Sequence, residues 1–255
     1  MRYGLCCSAT EAARACAWGC DYVEPALTPL VEVNDAALRD MRTALDGAGM
    51  RAETFNRFFD ASRHRLLGDS AQVDVACEHA RKVLAKAAAL GGDIAVLGSG
   101  PARSRPEGMS EIEALERFST TVWRLGDIAA AAGMRIVIEP LSPADNNLIL
   151  TVAQALAFVQ QLTHPAVGVL ADLYHIGCNG EDYIALAHTS GLLWHAHIAH
   201  PTKRHYPTAE DGADYAAFFA ALREGGYDGR ISIEASGDAA GTPAALELLR
   251  GFEGA

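Results

Sequence analysis

At 255 residues, 21% of them charged and 50% hydrophobic, the chain has the balance of an ordinary globular protein. Its net charge of −11 repels phosphate backbones and anionic lipid, which argues against nucleic-acid and membrane-surface partners. The opening MRYGLCC has no apolar signal segment, and Gln154, Gln160, Gln161, His164 and Pro165 interrupt the uncharged span 146–171, so no bilayer crossing is expected and the expected location is cytoplasmic.

Short apolar runs alternate with helical patterns from one end to the other. RYGLCC (2–7) and YVEPA (22–26) read as the first two strands. Cys6, Cys7, Cys16, Cys20, Cys77 and Cys178 form no CxxC pair, and read as small reduced hydrophobes, with a catalytic thiol at Cys6 or Cys178 as the alternative. RAETFN (51–56) is the third strand, and Val73, Cys77, Ala80, Val83, Leu84 and Ala87 then follow one helical face. IAVLGS (94–99) and RIVIEP (135–140) are strands four and five. The next helix has Thr151 as N-cap and its apolar face on Val152, Ala155, Leu156 and Val159. VGVLAD (167–172) and LWHAHIA (193–199) follow as strands six and seven. A helix on Tyr215, Phe218, Phe219 and Leu222 stops at Gly225 and Gly226, and RISIEA (230–235) is the eighth strand. The last helix is expected to use Thr242 as N-cap and Pro243 in its first turn, and to run through Ala245, Leu248, Leu249 and Phe252.

Eight such units average about 32 residues each, the length of a βα repeat with short loops. With no linker or charge block dividing it, the chain is expected to form one α/β domain over residues 1–255, a single (β/α)8 TIM barrel with a parallel sheet. An open doubly wound sheet is the structural alternative. The first βα turn, CCSATE, lacks the GxGxxG pattern, and neither GxxxxGK[ST] nor GxSxG occurs.

In a barrel the strand ends at the C-terminal face build the site. Strand five ends in Glu139, strand six in Asp172 with His175 three residues on, strand seven carries His195 and His197, and strand eight ends in Glu234. Each follows an apolar run. An isolated buried carboxylate is costly, whereas Glu139, Asp172, His197 and Glu234 at one level can be satisfied together by one divalent cation. Three carboxylates and an imidazole suit Mn²⁺ first, with Mg²⁺, Co²⁺ or Zn²⁺ as alternatives. The stretch LLWHAHIAHPTKRH (192–205) thus divides. His197 is the better ligand, His195 is expected one layer deeper as a core histidine or as support for the ligands, and His200 and His205 fall in a loop facing substrate or solvent, a second metal on His200 being the lesser alternative. Gly98–Ser99–Gly100 either cradles a substrate phosphate beside Arg103 and Arg105 or, the reading preferred, is a tight turn with exposed arginines. Trp18, Phe55, Asn56, Trp194 and Tyr206 are candidates to line a ligand pocket, against the alternative of core packing.

LGSGPARSRPEG (97–108), IEPLSPADNN (138–147), DLYH (172–175), HAHIAHPTKRHYP (195–207) and DYAAFFAALREGGYDGRISIE (214–234) together resemble the xylose isomerase-like barrel superfamily. The nearest likeness is to sugar isomerases and epimerases of the D-tagatose/D-psicose 3-epimerase and hydroxypyruvate isomerase kind. The resemblance implies metal ligation by Glu139, Asp172, His197 and Glu234, and acid–base roles for Glu139 and Glu234. It also implies substrate contact by His175 and by Lys203 or Arg204, between which the sequence does not choose. Ser142, where many sugar epimerases have Asn followed by Arg, and His200, where an acidic residue is common, depart from the pattern near where the resemblance places substrate.

The implied activity is isomerase or epimerase chemistry on a sugar, sugar phosphate or hydroxy-keto acid, by proton transfer next to a carbonyl through an enediolate. The implied partner is a small-molecule carbohydrate, and a dimeric or tetrameric homo-oligomer is compatible with it. Competing readings are a metal-dependent dehydratase or lyase sharing the first proton abstraction, an endonuclease IV-like DNA repair enzyme, and a non-catalytic sugar-binding barrel.

Overall fold

The computed structural model describes residues 1–252. Its eight strands are β1 (Arg2–Leu5), β2 (Tyr22–Val23), β3 (Thr54–Phe55), β4 (Ile94–Leu97), β5 (Arg135–Ile138), β6 (Val167–Asp172), β7 (Leu193–Ile198) and β8 (Arg230–Ile233). All paired strands are parallel, in the order β2-β1-β8-β7-β6-β5-β4-β3. Parallel bridges Val23–Ala52 and Ala26–Asn56 join the two ends of that order, so the (β/α)8 barrel expected from the alternation is the fold. β6 is buried along its whole length, as a strand covered on both faces must be.

The helices are α1 (Ala12–Ala17), α2 (Asp35–Gly47), α3 (Ser70–Ala89), α4 (Gly100–Arg103), α5 (Glu111–Ala131), α6 (Val152–Leu162), α7 (Leu173–Asn179), α8 (Ile184–Ala187), α9 (Tyr215–Glu224) and α10 (Thr242–Arg250). Capping boxes start two of the long ones, Asp69 with Gln72 on α3 and Thr151 with Gln154 on α6. No helix among the described residues is long and apolar enough to cross a membrane.

Three expectations need correction. The strands read over 22–26 and 51–56 shrink to two residues each: Pro25, with no N–H to give, interrupts the first, and beyond it the pairing goes on as isolated bridges, with the Asn56 N–H donating to Pro25 O. Thr242 is the first helical residue rather than the cap: its hydroxyl donates to Ala239 O, and Asp238 caps the preceding 3₁₀ turn. The cysteines form no disulfide, but only Cys20 and Cys77 are buried, while Cys16 and Cys178 are exposed.

The barrel interior is stratified. At the N-terminal mouth Arg2, Glu53, Arg230, Asp93 and Arg135 form a chain of ion pairs. Ile94, Val96, Val137 and Leu170 make an apolar plug against Trp194. A bulge places Trp194 there: in the β6–β7 pairing Val169 faces Leu193 but Leu170 faces His195. Trp194 therefore folds over Gly168, where any Cβ would collide with the indole, and does not line a sugar pocket. Polar side chains fill the barrel from His195 upward.

Candidate active site

Strand ends deliver the acidic groups. Glu139 follows β5, Asp172 closes β6, His197 lies in β7 and Glu234 follows β8. The structure brings these four together, with one ligand atom of each lying within 4.8 Å of the others. His197 Nδ1 is 3.5 Å from Glu139 Oε1 and 3.5 Å from Glu234 Oε2. Asp172 uses Oδ1 to cap α7 through the Tyr174 N–H at 2.9 Å, which turns Oδ2 inward.

Glu139 Oε1, Asp172 Oδ2 and His197 Nδ1 are all buried without a hydrogen-bond partner. Buried polar atoms are normally paired, so three orphans on one cluster call for a missing partner. A divalent cation fits this donor set of three carboxylates and an imidazole. Electrostatics agree. Burial, together with the Glu139 and Glu234 charges, pushes the Asp172 carboxyl up to about 6 against the pull of His175. Glu234 is held below the usual carboxylate range, its burial outweighed by His197 and Arg204.

Beneath this cluster lies a residue that the strand-end reading passes over. Glu24, just past β2, is fully buried. Its Oε1 accepts from His197 Nε2 at 2.8 Å, and its Oε2 meets His195 Nε2 at 2.7 Å, Thr54 Oγ1 at 2.6 Å and Ser232 Oγ at 2.5 Å. The two imidazoles outweigh burial and hold the Glu24 carboxyl well below its ordinary range. His195 also places Nδ1 3.1 Å from Arg230 O, so acceptors flank both of its ring nitrogens.

A cavity of about 610 Å³ opens above the cluster and is lined by Asn56, Asp60, Asp145, His175, Arg204 and Glu234, among others. Asn56 Nδ2 donates to Glu234 Oε1 at 3.2 Å. His175 Nδ1 accepts the Ser142 N–H at 3.0 Å, which leaves the proton on Nε2, 3.7 Å from Asp172 Oδ2. Asp145, also unremarked in the sequence, accepts the Ser142 hydroxyl at 2.8 Å and forms part of the cavity wall.

The basic loop after β7 separates its two cations. Arg204 adopts a left-handed φ of 55°, while His200 N–H donates to His205 O across the turn. Arg204 thereby reaches the cavity, pairs with Glu234 and stacks 4.6 Å over the Tyr174 ring. Lys203 is exposed and lies off the cavity wall. His200 groups with His205 and Asp211 instead of joining the four. Its Nδ1 accepts the Thr202 and Lys203 N–H groups, and Asp211 is occupied by Thr208, Ala213 and Tyr215, so this trio pins the loop.

The Gly98–Ser99–Gly100 segment departs from the expected tight turn with exposed arginines. Arg103 is not exposed but fully buried. Ser99 turns left-handed (φ 43°) and α4 carries Arg103 back under the strand ends. There Nε donates to Gly98 O at 2.7 Å, Nη1 to Leu148 O at 2.8 Å and Nη2 to Glu139 O at 2.5 Å. Of the aromatic candidates, Phe55 is buried core, and Trp18 and Tyr206 are half-buried against the core; of that group Asn56 alone lines this cavity.

A family model described as xylose isomerase-like TIM barrel matches residues 12–252. L-ribulose 3-epimerase of Methylomonas sp. (strain DH-1) is 30% identical over 243 residues, 88% of this chain and 75% of that protein. Ketose 3-epimerase of Arthrobacter globiformis is 27% identical over 136 residues, 53% of this chain, and the match spans less than half of that relative's length, 46%. The structure of D-psicose 3-epimerase with D-tagatose from Clostridium cellulolyticum H10 superposes with a TM-score of 0.86, at 20% identity and 99% coverage of both chains. The apo structure of a 3-keto-D-glucoside 4-epimerase from E. coli gives 0.82 at 22% identity, covering 98% of this chain and 99% of that one. At such identities these two structural likenesses concern the fold alone.

Proposed function

The chain belongs to the xylose isomerase-like TIM barrel family, and from that premise we propose that it is a metal-dependent isomerase or epimerase of a small carbohydrate, most simply a ketose 3-epimerase. The observation that carries the reading is the convergence of three partnerless buried atoms, Glu139 Oε1, Asp172 Oδ2 and His197 Nδ1, beside Glu234 at the floor of an open cavity. Glu139, Asp172, His197 and Glu234 would hold the ion. A divalent cation there supplies Lewis-acid stabilisation of negative charge on substrate oxygens.

The chain's own groups move the proton. One of Glu139 and Glu234 removes the hydrogen from the carbon next to the carbonyl as H⁺, and the C–H electron pair becomes the C=C bond of an enediolate. The other glutamate returns a proton, to the opposite face of the same carbon for epimerisation or to the adjacent carbon for isomerisation. Arg204 and the Asn56 amide orient Glu234, and Arg204 favours its ionised, basic form. With Nδ1 occupied by the Ser142 N–H, His175 presents Nε2–H as a donor suited to a substrate hydroxyl. Relatives named for ketose and L-ribulose 3-epimerisation favour epimerisation at C3 of a ketose.

The test is metal analysis of the purified protein followed by a screen of ketoses and ketose phosphates for deuterium uptake from D₂O with Mn²⁺ present. Carbon-bound exchange in the wild type, abolished in Glu234→Gln, is the expected result. Near-normal exchange in Glu234→Gln overturns the assignment of that residue, and absence of bound metal overturns the whole reading.

A further inference from the structure

We propose that Glu24 is a positioning residue that fixes which nitrogen of His197 is offered to the cation, an inference that rests on the metal-site reading. His197 has two faces. Nε2 points down at Glu24 Oε1, 2.8 Å away, and Nδ1 points up between Glu139 Oε1 and Glu234 Oε2. Glu24 Oε1 can only accept, so Nε2 must carry a proton in this geometry. The lone pair available to an ion is then the one on Nδ1. A carboxylate behind a ligating imidazole fixes its tautomer and raises its basicity, typically changing metal affinity about 10–100-fold.

Glu24 is itself held from several strands. Thr54 of β3, His195 of β7 and Ser232 of β8 all converge on Oε2, and Ser232 is in turn 2.9 Å from Tyr22 Oη of β2. With Oε2 tied by three partners, Oε1 has one direction left, and His197 lies along it. The carboxylate sits in a fully buried site in which its hydrogen-bond partners are the Thr54 and Ser232 hydroxyls and the His195 and His197 rings. Glu24 does not line the cavity, and it meets the four-residue cluster at the Nε2 of His197. Its action on the site passes through His197.

The experiment uses the full chain labelled with ¹⁵N-histidine. In the wild type, the His197 Nε2–H correlation should be slowly exchanging and present both without metal and after Zn²⁺ addition, with Zn²⁺ perturbing Nδ1. Loss of the Nε2 proton on Zn²⁺ binding, or its absence beforehand, overturns the proposal without any variant being needed. In parallel, Mn²⁺ titration calorimetry should show Glu24→Gln, which removes the negative charge behind the ring, binding about 10–100-fold more weakly than wild type. Equal Mn²⁺ affinity in the two proteins also overturns it. Failure of the wild type to bind Mn²⁺ at all would instead sink the metal-site reading, while the Nε2–H signal would still report on the Glu24 contact.

Discussion

The carboxylate of Glu139 occupies the space that a side chain on Gly98 would need: a Cβ built there would overlap Glu139 Oε2. Gly98 does not have a left-handed φ, so its backbone can carry a side chain and the conflict lies with Glu139 alone. Gly98→Ala should therefore fold with little change in melting temperature, yet displace the Glu139 carboxylate from its neighbours. A loss of Mn²⁺ affinity of about 10-fold or more is expected by calorimetry, comparable with other disturbances of a ligand's support. Unchanged affinity would mean that Glu139 yields without leaving the site.

Arg103 ties the same region from below. Its three donated hydrogen bonds satisfy Gly98 O, Leu148 O and Glu139 O, carbonyls that no water can reach around a fully buried side chain. Burial pushes the guanidinium down to about 10, which still leaves it protonated at neutral pH. Arg103→Met fills similar volume but strands three acceptors, each costing about 1–3 kcal/mol. A net loss of about 3 kcal/mol corresponds to a fall of roughly 6–12 °C in melting temperature for a domain of this size. Differential scanning calorimetry tests it, and a drop below about 2 °C would show that the carbonyls find other donors.

The two cations after β7 should behave differently. Arg204 contacts Glu234 and Tyr174, while Lys203 is exposed. On whichever ketose shows deuterium exchange, Arg204→Met is expected to lower kcat/KM by about 10²-fold or more, the scale of a lost acid–base or oxyanion contact. Lys203→Met should stay within about 2-fold, as surface changes away from special features usually do. Equal effects in the two variants would contradict the division made by the turn at Arg204.

What the sequence made legible follows a physical pattern. Glu139, Asp172, His197 and Glu234 each follow a strongly apolar run, and alternation plus strand parity suffices to set them at one end of a barrel. Glu24 carries the same signature, an acid after apolar residues and before a proline, but β2 is too short for its end to stand out. Arg103 was beyond reach for another reason. A charged residue after Gly-Ser-Gly-Pro is ordinarily a solvated turn, and the three carbonyls that hold it come from positions 98, 139 and 148, brought together only when the barrel closes. Trp194 was similarly hidden, because a bulge reverses the face that simple alternation assigns.

Glu181 offers a test of burial away from the cluster. Its Oε1 accepts the Val152 N–H at the start of α6 at 2.9 Å, while Oε2 is buried with no partner. Burial outweighs those helix amides and pushes the carboxyl up to about 7 from an ordinary 4.5. Between those values the folded chain keeps a proton that the unfolded chain has released. Folding stability from this group is thus full below about 4.5 and lost as the pH rises through about 7. Glu181→Gln keeps an acceptor for Val152 and removes the titration. Its melting temperature should match that of the wild type near pH 4.5 and exceed it at pH 8. Solvent screening of this partly exposed group limits the gain to on the order of 1 kcal/mol, or about 2–4 °C. A variant that tracks the wild type at both pH values would show that the unpaired oxygen reaches water.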